Sequence, residues 1–553
     1  MAAGPFDRAE ALERLRSERF DVVVVGGGIT GCGVALDAAA RGLRTALVEA
    51  EDFGSGTSSR SSKLVHGGLR YLSQRDFRLV YEALAERQRL LANAPHLVRP
   101  LPFLIPLFGH DGVVARSVSH FYSVALWTYD LTGGLRMGRR HRRVDAATAL
   151  RHFPDLDTER LVAGFLYWDA HADDARLTLA VARTAAAHGA IVANHAKVVG
   201  LLSRGGAAAG VALADGTEVE AAVVVNAGGV WSGEIGGLDP AAGGGDGAPA
   251  IRPAKGVHLT VPASRLPCDW AAVLPVPEDK RSVFVVPWVE PGFTYVGTTD
   301  TDYAGPLEEP RCTAADADYL LGAVNAWTGA GLRPGDVSGV WAGLRPLVAD
   351  APTARTADLS RRHHVSRSPG GVVTVTGGKL TTYRRMAADT VDLVEQSLGR
   401  RHRRSPTAGL ALRGSGDVAE AAGRARAAGL DPGAVAHLAG RYGTDAADVA
   451  QLVAEDGSLA EPLVEGLPYL TAEAVFAVRR EMATTLDDVL ARRSRSWILD
   501  REATEAAAPR VARLLAGELG WSDDQARAEV EALAARGAQE RRALSVPSLA
   551  RRP

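Results

Sequence analysis

Along the chain the spacing of apolar positions changes repeatedly, and each change marks an element. Residues 20–25, FDVVVV, give a nearly unbroken apolar run, as expected of a parallel strand buried on both faces. GGGITG follows as a tight turn, CGVALDAAARG as a helix and RTALVEA as a second strand, so residues 20–49 predict a βαβ unit. Apolar runs ending in glycine recur at AAVVVNAGG (221–229) and GVVTVTGG (371–378), predicting further strands that deliver turns to the same site. The nucleotide-binding part is therefore expected to be discontinuous in sequence. Between these pieces, GVHLTVP (256–262), RSVFVVPW (281–288) and FTYVGTTD (293–300) are rich in β-branched and aromatic residues and punctuated by Pro or Gly. They predict a separate, mostly antiparallel sheet. After about residue 400 the spacing becomes helical in DAADVAQLVAE and TAEAVFAVRREMATTLDDVLARR.

The expected fold is mixed α/β: a discontinuous Rossmann-like nucleotide-binding domain, an antiparallel-sheet substrate domain and a C-terminal all-helical domain. The sequence divides into nucleotide-binding parts at about 18–85, 155–235 and 340–400, substrate or cap parts at about 86–154 and 236–339, a basic, Pro-containing linker at 401–415, and helices over 416–553. With 553 residues, two or three cores sharing interfaces are expected.

Charge removes several function classes. The 63 basic and 65 acidic residues nearly cancel, which gives no global attraction to nucleic acid, so any phosphate site must be local. Cys32, Cys268 and Cys312 are scattered without metal-ligand spacing, predicting no metal site and a reduced, cytoplasmic setting. The first twenty residues lack the apolar run of a signal peptide, and no long uncharged apolar stretch predicts a membrane span. Only five of the 63 basic residues are lysines, which makes each lysine mildly informative.

Gly26, Gly28 and Gly31 form G-x-G-x-x-G between strand and helix. The first glycine permits the turn, the second lets backbone approach a pyrophosphate, and the third lets helix and strand pack closely. Glu49 ends the second strand, where a carboxylate accepts hydrogen bonds from an unphosphorylated adenosine ribose. This motif alone leaves FAD and NAD both open. The next segment, with its clustered hydroxyls and Lys63, suits a cofactor extending past its pyrophosphate.

That segment, TSSRSSKLVHGGLRYL (57–72), resembles the signature of FAD-dependent glycerol-3-phosphate dehydrogenases, within the D-amino-acid-oxidase-like flavoproteins. The chain is also similar to that family in AHADDARL (170–177), NAGGVW (226–231), KGVHLTVP (255–262), VGTTDTDY (296–303), GLRPL (343–347) and TGGKLTTYRRMA (376–387). More loosely, so are RYGTDAADVAQLV (441–453) and TTLDDVLARRSR (484–495). The resemblance implies that Ser58, Ser59, Ser62, Lys63, Leu64 and His66 line the pyrophosphate and flavin, and that Val198 contacts adenine. It also implies that Gly378, Lys379 and Leu380 bring backbone N–H groups to the flavin carbonyl edge.

For the substrate, sn-glycerol 3-phosphate, the resemblance implies a cationic pocket from Arg345, Arg70 and Arg361, with Tyr71 nearby; guanidinium forks suit phosphate oxygens. The general base is either His258 or Lys379. Asp300 stays outside the catalytic set as an ordinary strand-end residue. Family dehydrogenases pass electrons to a membrane quinone, whereas related oxidases reduce oxygen to peroxide. The segment 113–143 joins an apolar, aromatic run to a basic cluster, as an interfacial helix would, and this favours quinone and peripheral contact with the inner face of the cell membrane. A homodimer is compatible with the sequence, but nothing in it selects one.

Overall fold

The computed structural model describes residues 6–68, 76–109, 116–239, 250–279, 281–288, 290, 292–348 and 362–545. Among the described residues, two sheets organise the first three-quarters of the chain. In the first, Phe20–Val25 lies between Thr45–Val48 and Glu218–Asn226, all parallel, with Ile191–Ala193 beyond one side and Val373–Gly377 beyond the other. His363–Arg367 closes that edge antiparallel. Val22 and Val24 pack under the helices Ile29–Ala40, Asp174–Ala187 and Tyr383–Ser397. Val23 and Val25 pack under the N-terminal helix Arg8–Ser17 and the hairpin that follows Val198. Burial on both faces explains the absence of alternation in FDVVVV.

Among the described residues the second sheet has ten strands, antiparallel except where Ala271–Pro275 runs beside Val98–Phe108. Ile251–Pro262 and Gly339–Val348 pair along ten residues within it, and Val98–Phe108 pairs with Leu161–Ala172. Leu161–Ala172 and Gly339–Val348 thus belong to this sheet, although linear boundaries placed residues 155–235 and 340–400 with the nucleotide-binding parts. Each strand finds its long partner far away in sequence, which a boundary drawn along the chain cannot show. Val257, Leu259 and Val261 face a core beneath the helix Ala314–Asn325. The opposite face is shared with the C-terminal helices through Trp341, Trp497 and Ile498.

The C-terminal helices also have a core of their own around Leu438, Val449 and Phe476. Two expectations change here. The long helical stretch after residue 471 stops at Glu481, because Met482 is left-handed (φ 56°), and resumes as a π-helix over Asp488–Arg493. Residues 401–415, expected as a linker, form a strap on the first domain. Arg41 donates to the Arg403 carbonyl (2.8 Å), Arg403 to the Arg41 carbonyl (2.6 Å) and Thr407 Oγ1 to Asp37 (3.2 Å).

Candidate functional site

A cavity of about 1290 Å³ runs from the ends of the first sheet's parallel strands to the face of the second sheet. That exceeds the roughly 300–1,000 Å³ of ordinary small-ligand pockets.

At its first end the fingerprint behaves as a dinucleotide cradle. Gly26 is left-handed (φ 110°), and a Cβ there would lie 2.6 Å from the Ala227 carbonyl oxygen. A Cβ on Gly31 would lie 1.8 Å from the Gly26 oxygen, so this glycine sets helix–strand contact and does not line the cavity. Gly28 is the N-cap of Ile29–Ala40, and the Ile29 N–H donates to Ser58 Oγ (2.9 Å). Glu49 accepts from the Gly27 and Glu51 N–H groups (2.5 and 2.9 Å). Burial pushes its carboxyl up, against the pull of those two N–H groups. Gly26, Gly28, Glu49, Ser58 and Val198 all line the cavity.

Farther along, Ser62, Leu64 and His66 form one wall, and Gly378, Lys379 and Leu380 another. The two are tied where the His66 N–H donates to Thr381 Oγ1 (3.2 Å). Gly377 and Gly378 are both left-handed, and the turn they make starts the helix Tyr383–Ser397 after a single short 3₁₀ turn. Behind His66, Gly67 donates to Tyr129 Oη (3.0 Å), which in turn donates to the buried Asp169 carboxylate (2.7 Å).

His258 and Arg345 close the far end. They sit on paired strands, with His258 opposite Trp341, Gly256 opposite Gly343 and Ala254 opposite Arg345. Alternation puts all six residues on one face of the sheet, so the glycine pair opens a slot between imidazole and guanidinium. A Cβ on Gly256 would approach Arg345 Nη2 at 2.5 Å, and one on Gly343 the Arg60 carbonyl at 2.6 Å. Arg345 donates to Asp300 Oδ1, Thr298 Oγ1 and the Thr299 carbonyl, each at 3.1 Å. His258 is buried, and its Nε2 lies 2.8 Å from Ser62 Oγ. Its Nδ1 has no hydrogen-bond partner among the described residues. Burial, then the charges of Lys63 and Arg345, hold the imidazole well below its ordinary pKa, so it is neutral at physiological pH.

Most expected residues therefore meet around one cavity, and some do not. Lys63 is buried behind the wall, where its ammonium donates to Asp174 (3.0 Å) and the Ser59 carbonyl (3.2 Å). The left-handed backbone at Lys63 (φ 57°) turns the side chain away from the cavity, which sequence spacing does not reveal. Ser59 likewise contributes its carbonyl to that buried cluster. Arg70, Tyr71 and Arg361 lie outside the described residues; the adjacent Arg362 pairs with Asp76 (2.9 Å). Sequence reasoning missed Trp341 and the partnership of Asp300 with Arg345, because strand register sets both.

The cavity fits FAD on these grounds: the glycine turn and helix N-terminus for pyrophosphate, the carboxylate at the ribose position, and the length beyond. Residues 21–384 match the FAD dependent oxidoreductase family, and residues 405–526 match the C-terminal domain of alpha-glycerophosphate oxidase. The chain belongs to the FAD-dependent oxidoreductases.

Within that class it groups with the glycerol-3-phosphate dehydrogenases. It is 45% identical over 534 residues to glycerol-3-phosphate dehydrogenase 2 of Mycobacterium bovis, covering 94% of this chain and 88% of that protein. It is 36% identical to the mitochondrial glycerol-3-phosphate dehydrogenase of Mus musculus, covering 95% and 74%. The crystal structure of glycerol-3-phosphate dehydrogenase from Bacillus halodurans complexed with FAD superimposes with a TM-score of 0.78 at 31% identity, covering 98% of both chains.

Proposed function

We propose that this protein oxidises sn-glycerol 3-phosphate to dihydroxyacetone phosphate, with reducing equivalents passing through FAD to a membrane quinone. The observation that carries the reading is the pairing of neutral His258 with cationic Arg345 across a glycine-lined slot at the inner end of the cavity. The names of the similar dehydrogenases point to the same substrate.

In this reading Arg345, held by Asp300, takes the phosphate, assisted by Lys379 and by Arg70 and Arg361. The family resemblance adds Tyr71 to the substrate-binding set. The secondary hydroxyl loses its proton to His258 Nε2, directly or across Ser62 Oγ. Lys379, on the facing wall, favours the developing alkoxide. Bound FAD supplies the acceptor for the hydride from the second carbon. The Gly26, Gly28 and Gly31 turn and Glu49 hold its adenosine and pyrophosphate half, with Val198 against adenine. Ser58, Ser59, Ser62, Lys63, Leu64, His66, Gly378 and Leu380 frame the rest, Ser59 and Lys63 from behind the wall.

Support for quinone and for contact with the membrane face comes from one exposed patch. Phe77, Phe121 and Val124 line the cavity and are still 50%, 55% and 52% exposed; Trp127 and Leu131 extend the apolar surface. Arg139 and its basic neighbours follow directly in sequence. No helix among the described residues is long and apolar enough to cross a membrane. Oxygen as acceptor is the second reading, favoured by the match of residues 405–526 to the C-terminal domain of alpha-glycerophosphate oxidase.

Anaerobic addition of sn-glycerol 3-phosphate to the flavin-replete protein is expected to bleach the oxidised flavin band. A flavin-replete protein that does not bleach ends the substrate assignment. Reoxidation by a short-chain quinone with little peroxide is expected; stoichiometric peroxide in air selects the oxidase reading.

A further inference from the structure

The segment Asp487–Arg495 of the C-terminal domain reaches into the first domain with three arginines. Arg492 and Arg493 both bind Asp52, three residues beyond Glu49 (2.7 and 2.5 Å). Arg495 does something different. Its Nη2 donates to the Ser59 carbonyl (2.7 Å) and to Asp174 Oδ1 (3.0 Å), the same two oxygens that Lys63 Nζ uses. Two cations thus share one carbonyl and one carboxylate. Arg495 is 1% exposed, Lys63 2% and Asp174 0%. Both cationic residues have left-handed backbone (φ 70° and 57°), a conformation that a surrounding structure must hold in place. They are bracketed by a π-helix on one side and the Ser-rich loop on the other.

The loop so gripped carries the cavity wall. Ser58 Oγ accepts from the first N–H of the fingerprint helix, Ser62 bonds His258, and the Lys63 ammonium lies 4.6 Å from the Trp341 ring centre. We propose that Arg495 is a positioning residue for the cofactor, through which the C-terminal helical domain fixes the loop 57–63 against the flavin end of the cavity. This rests on the assignment of the cavity to FAD. Burial and the Arg495 charge bring Lys63 down to about 8, with Asp174 and Asp173 opposing, so removing Arg495 leaves Lys63 charged but able to shift on Asp174.

The test uses hydrogen exchange and FAD release on the holoprotein, comparing wild type, Arg495→Met, Arg495→Lys and Arg183→Met. Arg183 ties the same two domains through Asp445 (2.7 Å) without touching the loop. In Arg495→Met, amides of residues 57–63 are expected to exchange at least about tenfold faster and FAD to dissociate about tenfold faster, with Phe20–Val25 unchanged. Arg495→Lys should recover most of both effects, since one ammonium can reach both oxygens. Wild-type protection and FAD release in Arg495→Met would overturn the proposal, as would equal loosening in Arg183→Met. Should Arg495→Met fail to fold, the wild type decides. Its loop 57–63 and segment 488–495 should lose protection together along a urea series, and separate opening would refute the grip. Failure of the FAD assignment would show independently, as a folded wild type that neither carries nor binds FAD.

Discussion

The imidazole of His258 lies parallel to the indole of Trp341, with ring centres 4.7 Å apart and planes 6° from parallel. The indole fixes the ring orientation and, with Tyr295, keeps water from the face of the imidazole. A base held this way is already unprotonated when substrate arrives.

Replacing His258 with Asn should therefore slow flavin reduction by about 10²–10⁴-fold while FAD stays bound. The group must be deprotonated to act, and its pKa is lowered, so kcat/KM should be flat through neutrality and fall only as pH drops well below 6.5. Stopped-flow reduction across pH checks this; a basic limb near or above neutrality that vanishes in Lys379→Met would transfer the role to Lys379.

Arg345→Met removes the guanidinium from the slot together with its bond to Asp300. A loss of about 1.5–3 kcal/mol is expected, or about 10–150-fold in kcat/KM for sn-glycerol 3-phosphate. Activity on unphosphorylated glycerol should hardly change. Equal loss on both substrates would mean that Arg345 supports the sheet and does not read phosphate.

Gly31→Ala tests the cradle. The added methyl would lie 1.8 Å from the Gly26 oxygen, so the helix must move off the strand at a cost of about 1–3 kcal/mol. Flavin content after purification should fall sharply. Full FAD occupancy at wild-type affinity would contradict the close contact.

Stability should decline on the alkaline side through His195 and Asp488, which bond at 3.0 Å. Burial alone would lower the His195 imidazole, but the hydrogen bond and charge of Asp488 outweigh it and raise the pKa. A raised histidine stabilises fully below its unfolded value of 6.5, and the contribution disappears as pH rises through the folded value. His195→Gln should flatten the dependence of Tm on pH above 6.5. An unchanged slope would remove this pair as its source.

Trp127→Ser with Leu131→Ser should weaken sedimentation with anionic vesicles severalfold and leave flavin reduction by substrate intact, since both residues are exposed and neither lines the cavity. Unchanged vesicle binding would place the membrane contact elsewhere.

The cofactor end was legible in the sequence because its determinants are local. Gly26, Gly28, Gly31 and Glu49 act within one βαβ unit, and the turn after Val373–Gly377 carries its own glycines. The family resemblance located Arg345 and His258, but their alignment depends on strand register over some eighty residues, which no spacing rule conveys. Lys63 was misplaced because one left-handed residue reverses a side chain. The strap at 401–415 read as a linker because its anchors, Asp37 and Arg41, lie on a helix formed much earlier in the chain. Contacts made by sequence-distant partners are the ones composition and periodicity cannot supply.

Ser59 and Arg495 are 436 residues apart. During synthesis the glycine turn and the serine loop leave the ribosome long before the arginine that grips them. The nascent chain can build a surface for the nucleotide early, yet the contact that closes the loop waits until residue 495 has been made. Full closure of the nucleotide surface is thereby tied to the arrival of the C-terminal helices.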